Sequence, residues 1–351
     1  MMKALIVAAP GDIRMIETEK PNVGAKDVLA KVMYAGICGT DLAILSGDMS
    51  FVRDGLIKYP IRIGHEWSGI VEEVGEEVIG FKPGDRVVSD SGVTCGKCEH
   101  CLSSNFKLCE NIRSVGTINC WDGSFSEYMI MPYWHMHKLP NNISMEEAAL
   151  IEPTSIALSG VKQSNISSES RVLVVGTGPI GIAAVSLAKN AGAAKVLLSG
   201  RKKFKLDVGK TVGADAVVNV TKEDLRDFIM KNTEDKGVDV IIETSGNIEI
   251  LNQCLDVAKP KALIALIGFY EKNLNDFNID KFVVNRLQMK GILAELGLVQ
   301  EVIGMMASES LNLKSLITHK LKFNEAIEAM RTANEKNDTK IKMLVEIGAG
   351  S

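Results

Sequence analysis

Four cysteines, Cys95, Cys98, Cys101 and Cys109, fall within 15 residues, the first three at every third position. Four thiolates this close in sequence converge on one tetrahedral Zn²⁺. An iron–sulfur cluster and uncommitted loop thiols are the competing readings. The absence of a second cysteine cluster favours zinc. A shell made wholly of protein sulfurs leaves no position for substrate, so the expected role is to pin a loop.

A second constellation is dispersed over Cys38-Gly39-Thr40-Asp41, Gly64-His65-Glu66 and Glu152-Pro153. One thiolate, one imidazole and one or two carboxylates form the mixed ligand set of a catalytic zinc that keeps a position open. Each fragment alone reads as ordinary core. Together, beside a cysteine loop and a nucleotide motif, they read as a metal centre.

The nucleotide motif is Arg171-Val-Leu-Val-Val-Gly176-Thr-Gly178-Pro179-Ile180-Gly181, a strand running through GxGxxG into a helix. Gly176 allows the tight turn, Gly178 the approach of a pyrophosphate, and Gly181 close helix–strand packing. The helix start offers unpaired N–H groups to the phosphates. An acidic residue about 20 positions on normally binds the ribose of NAD; here stand Gly200, Arg201, Lys202, Lys203 and Lys205. Cations admit a 2′-phosphate that a carboxylate repels, so NADP(H) is expected over NAD(H). The plainer reading is a solvated helix start. Expected cofactor contacts are Gly176, Gly178, Pro179, Ile180, Gly181, Gly200, Arg201, Lys205, Ile267 and Gly268.

Such groups need two kinds of scaffold. Up to about residue 150, glycines punctuate short β-branched runs at Lys3–Ala8, Asp27–Ala35, Ser68–Val74 and Arg86–Ser89, the texture of an irregular β domain. From residue 171, apolar strands at Arg171–Val175, Lys195–Ser199, Ala216–Asn219, Val238–Glu243, Ala262–Ile267 and Met289–Leu293 alternate with helical segments. Strands apolar on both faces belong to a parallel sheet wrapped by helices. The fold class expected is α/β, with domains at 1–152 and 153–293 and a tail, 294–351, that returns to the first domain. That tail carries a predicted helix at Asn324–Glu335 and a last strand at Ile341–Ile347. The apolar stretch Ile292–Met306 suits either core or an interface.

Composition narrows the function classes. The 351 residues hold 46% hydrophobic and 24% charged side chains with a net charge of −4, which leaves no basic surplus for nucleic acid. The longest uncharged stretch, Val172–Ala188, has 17 residues with three glycines and a proline, a poor membrane span. No secretory pattern opens the chain, so a reducing cytoplasm is expected.

Taken in order, Cys38-x-Thr40-Asp41, Gly64-His65-Glu66-x-x-Gly69, Gly80-x-x-x-Gly84-Asp85-Arg86-Val87, the four-cysteine loop, Gly123-x-Phe125-x-Glu127-Tyr128, Glu152-Pro153 and GxGxxG resemble the zinc-dependent medium-chain alcohol dehydrogenases. Glu66 and Glu152 look more like the polyol, threonine and secondary-alcohol branches. The resemblance implies a GroES-like irregular β catalytic domain, a Rossmann domain, an active site between them and a homo-oligomer, dimer or tetramer. It implies catalytic zinc on Cys38, His65 and Glu152, with Glu66 a ligand or an exchangeable neighbour, and a structural zinc on the four cysteines. Thr40 then resembles the hydroxyl that exchanges the alcohol proton, with His65 and Glu66 beside it in the catalytic set and Asp41 orienting its neighbours.

The implied reaction is hydride transfer between NADP(H) and a secondary alcohol, polyol or matching ketone. Threonine-type, sugar-phosphate and hydroxysteroid oxidation stay open, as does a non-catalytic nucleotide-binding protein of crystallin type. Trp121, Phe269 and the loop Gly47–Tyr59 are candidate pocket walls. Lys58 and Arg62 are a weak phosphate pair, and His135 and His137 read as strand residues. Two positions depart from the family pattern: Gly200, and Arg286, where the family usually has an acidic residue.

Overall fold

A computed structural model of the chain describes every residue except 104, 272, 274–276, 334–338 and 349–351. Strands Arg171–Val175, Lys195–Gly200, Ala216–Asn219, Val238–Glu243, Ala258–Leu266 and Gln288–Gly291 form a six-stranded sheet. Their spatial order is third, second, first, fourth, fifth, sixth, and every pairing is parallel. Val172, Leu173 and Val174 are wholly buried, as strands covered on both faces require. The order reverses between Arg171–Val175 and Val238–Glu243, and a doubly wound sheet opens its crevice at the carboxyl ends there.

The second body is a seven-stranded sheet in the order Ile317–Lys322, Lys342–Glu346, Asp27–Gly36, Glu66–Val74, Arg86–Ser89 and Met136–Lys138, with Tyr128–Pro132 also paired to Asp27–Gly36. Its register pairs Gly36 with Glu66 and Leu344 with Gly36, so three distant segments meet at one point. The hairpin Met2–Ala9 and Asp12–Thr18 lies apart from this sheet.

The tail divides. Helix Leu298–Ala307 buries Leu298, Val299, Val302, Ile303 and Met306 in the cluster that also holds Ala157, Leu158, Ile182 and Val185. The helical part of the apolar stretch Ile292–Met306 therefore turns one face into the core, while Leu293 is exposed. Only from Ile317 does the chain rejoin the mixed sheet. The tail helix is observed at Ala326–Ala333, and residues 334 and 335 of its expected span lie outside the described residues. Helix Ile151–Gln163 links the two bodies, with Glu152 in its first turn. No helix among the described residues is long and apolar enough to cross a membrane.

Candidate active site

Cys38 follows strand Asp27–Gly36 and caps helix Gly39–Ser46, while His65 immediately precedes strand Glu66–Val74. Because Gly36 pairs with Glu66, the two ligand-bearing ends lie side by side. One donor atom each from Cys38, His65 and Glu66 falls within 4.8 Å of the others. Asp41, wholly buried, fastens the two segments: one carboxylate oxygen accepts the Cys38 amide at 2.9 Å, the other the Gly64 amide at 3.1 Å. This is the orienting role the sequence suggests.

His65 Nδ1 lies 3.8 Å from Asp41 Oδ1, buried and without a hydrogen-bond partner. Burial lowers the basicity of the imidazole, but Cys38, Asp41 and Glu152 outweigh it and hold its pKa well above the usual value. Glu152 is also buried; desolvation pushes its carboxyl pKa up against the attraction of His65. A buried imidazole amid this much negative charge fits a site for a divalent cation. Glu66 belongs to the tight group, whereas Glu152 stands beside it. The sequence reading places Glu152 first, with Glu66 a ligand or an exchangeable neighbour.

Lys342 is the residue that sequence reasoning missed. Its ammonium donates to Glu66 Oε1 at 2.7 Å and to the Ile37 carbonyl at 3.1 Å, and both side chains of the pair are almost fully buried. Burial would lower the lysine pKa, but the charges of Glu66 and Cys38 raise it above the ordinary value. The signal was present. A lysine at the start of the run Ile341–Ile347, otherwise apolar but for Glu346, needs a carboxylate partner if it is buried.

The four cysteine sulfurs likewise lie within 4.8 Å of one another, with Cys98–Cys101 at 3.5 Å and Cys95–Cys101 at 3.9 Å. Tetrahedral zinc with ~2.3 Å bonds sets its sulfurs roughly 3.8 Å apart, so the donor set fits. Amides of Lys97 and Cys98 lower the Cys95 pKa to about 6, which favours the thiolate. If the four cysteines hold zinc, Cys98→Ala is expected to remove that ion alone and to lower thermal stability before activity, because a structural zinc contributes folding energy directly. Elemental analysis beside a melting curve checks it. An unchanged melting temperature would remove the fastening role.

On the nucleotide side, Gly176 has φ +104°, and a Cβ on Gly181 would lie 2.1 Å from the Gly176 carbonyl oxygen. Both positions need glycine for the strand–turn–helix to close. Gly178 faces open space at the start of helix Pro179–Asn190. The Glu243 carbonyl accepts from the Ile267 and Gly268 amides at 2.8 and 3.2 Å, which sets that loop beside the turn. Gly200 ends its strand under Thr177: a Cβ there would meet Thr177 Cγ2 at 2.4 Å. Arg201 is exposed, and Lys205 is half-buried in the following helix.

One cavity is lined by Cys38, Thr40 and Glu66 on one side and by Gly178, Pro179, Ile180, Gly181, Ile267 and Gly268 on the other. Phe269 and Met49 also line it, whereas Trp121 packs elsewhere with its indole N–H on the Ile130 carbonyl at 2.7 Å. Arg62 pairs with Asp122 and is not part of this wall; His135 and His137 both face Asp90. Arg286 occupies an exposed turn ahead of the edge strand Gln288–Gly291.

A mixed thiolate–imidazole–carboxylate centre facing a dinucleotide turn defines a metal-assisted oxidoreductase of the doubly wound class. Residues 24–141 match the family described as alcohol dehydrogenase GroES-like domain, and residues 179–308 match zinc-binding dehydrogenase. The sorbitol dehydrogenase of Bacillus subtilis (strain 168) is 30% identical over 98% of this chain and 97% of its own length. The L-threonine 3-dehydrogenase of Pyrococcus horikoshii is 35% identical over 94% of this chain and 95% of its own. A solved chain from Sinorhizobium meliloti 1021, bound to NADP, superposes with a TM-score of 0.89 at 30% identity, over 99% of both chains. The chain belongs to the zinc-dependent medium-chain alcohol dehydrogenase family.

Proposed function

We propose that this chain transfers hydride between NADP(H) and a secondary alcohol, polyol or the corresponding ketone, with one catalytic and one structural zinc per chain. The observation that carries the reading is the shared cavity, which brings Cys38, Thr40 and Glu66 against the GxGxxG turn. Cys38, His65 and a carboxylate from Glu66 or Glu152 would hold the catalytic ion. When bound, it supplies a positive centre for the charge that develops on the substrate oxygen. The nucleotide supplies the hydride acceptor.

The protein's own groups do the rest. Thr40, two residues beyond Cys38 and on the cavity wall, accepts the alcohol proton while passing its own hydroxyl proton on to water in the cleft, and runs the same relay backwards for ketone reduction. Asp41 keeps Cys38 and His65 in register, and Lys342 neutralises Glu66. Metal counting together with turnover of alcohols and ketones, with both nucleotides, tests the reading. A pure, zinc-replete protein without turnover on any of them would sink it.

For the nucleotide, Gly200 with Arg201 and Lys205 supports NADP(H), while solved relatives hold NADP in one case and NADH in another. A charge-assisted hydrogen bond to phosphate is worth about 1.5–3 kcal/mol, or roughly 10–100-fold. Arg201→Ala is therefore expected to raise KM for NADPH by about that factor and leave KM for NADH nearly unchanged. Equal effects on both nucleotides, or a wild-type kcat/KM for NADH as high as for NADPH, would overturn the preference.

A homo-oligomer is supported by the edge strand Gln288–Gly291, which ends the parallel sheet, and by exposed Val283, Val284 and Leu293 around it. All seven cysteines are free, which suits a reducing compartment such as the cytoplasm.

A further inference from the structure

The active-site cavity has a volume of about 460 Å³, and among the described residues most of its polar side chains are engaged within the protein. Glu66 and Lys342 hold each other. The Thr244 hydroxyl donates to the Val175 carbonyl at 2.7 Å. Glu271 accepts the Ser50 amide at 2.6 Å and faces Arg53 at 3.4 Å, a link across the cleft that sets Phe269 edge-on to Phe51 at 5.4 Å between ring centres. Cys38 belongs to the metal group and Thr40 to the reacting hydroxyl. Lys340 lines the cavity and interacts with another protein group. Around the metal group, Leu42, Ala43, Met49, Phe269 and Met343 supply apolar wall, as do Ile37 and Ile341.

We infer that the substrate is a secondary alcohol, or its ketone, whose reacting carbon is flanked by short apolar groups, and that polyols and amino alcohols are poor substrates. The inference rests on the dehydrogenase reading above and narrows its substrate class. In the forward direction the carbinol carbon gives its hydride to the oxidised nucleotide and its hydroxyl proton leaves through Thr40, so a ketone forms and the nucleotide is reduced. A hydroxyl or ammonium group buried against Leu42 and Met49 loses its water and gains no partner. An apolar wall rejects an added hydroxyl roughly 10²-fold.

The test compares kcat/KM of the zinc-loaded enzyme for sec-butanol, xylitol, sorbitol and L-threonine, with NADP and with NAD as acceptor. Beside it, calorimetric titration of the oxidised-nucleotide complex with butanone and with fructose reads binding without turnover. The expected result is a preference of roughly 100-fold for sec-butanol, with butanone binding and fructose giving no heat. Leu42→Asn, which adds an amide to the wall, is expected to narrow the ratio several-fold toward the polyols. A polyol or threonine in first place, or a ratio that Leu42→Asn does not move, overturns the inference and leaves the dehydrogenase reading standing. Failure of every substrate, alcohols included, defeats both.

Discussion

Cys38→Ser is expected to lower kcat/KM by roughly 10³-fold or more, since a Lewis-acid centre is worth several kcal/mol of transition-state stabilisation. The same variant should lose one of the two proposed zinc ions. Serine keeps the size of cysteine and its place at the start of helix Gly39–Ser46, where the backbone amide of residue 38 is fixed by Asp41 at 2.9 Å. What it loses is a soft ligand that ionises readily; a hydroxyl stays protonated at neutral pH. The four-cysteine group is built from other segments and should keep its ion, so elemental analysis separates this variant from general unfolding. His65→Ala should behave alike. Retention of wild-type turnover by Cys38→Ser after chelation would end the metal-assisted mechanism.

Why these two residues meet is only partly written in the local sequence. The order of apolar strands from Arg171 onward was legible because a parallel sheet buried on both faces leaves continuous apolar runs. Those strands sit within a few residues of their expected bounds. The GxGxxG turn was legible for the same reason: its glycines answer to a backbone conformation and a close approach that no other residue tolerates.

The mixed sheet was harder. Strand Ile317–Lys322 is half-exposed and weakly patterned, as is Asp12–Thr18 in the separate hairpin, and only their pairing partners make them strands. Helix Ile151–Gln163 carries three serines or threonines, a proline and a glycine, which hide its period; burial between the two bodies holds it helical. Long-range partners are the least visible of all. The link from Glu271 to Ser50 joins residues 221 positions apart, and the cavity wall at Phe269 depends on it.

Lys342→Met should be the most damaging change outside the proposed ligands. The substitution removes one member of an ion pair whose side chains are only 2% and 1% exposed. Breaking a buried pair costs about 3–5 kcal/mol, because the orphaned charge cannot return to water. Glu66 would then lie buried with its strongest partner gone, beside Asp41 and Glu152, which are buried as well. In the metal-free protein the melting temperature should fall by several degrees or more. Adding Glu66→Gln should restore much of that loss, because a neutral amide needs no counter-charge.

Zinc provides the second readout. If the freed carboxylate turns to the metal, the penalty of Lys342→Met shrinks on zinc loading, and the variant holds the catalytic ion more tightly than the parent. A variant as stable as the parent in chelator would show that Lys342 is not the counter-charge of Glu66. The returning strand Lys342–Glu346 would then be a structural seam only.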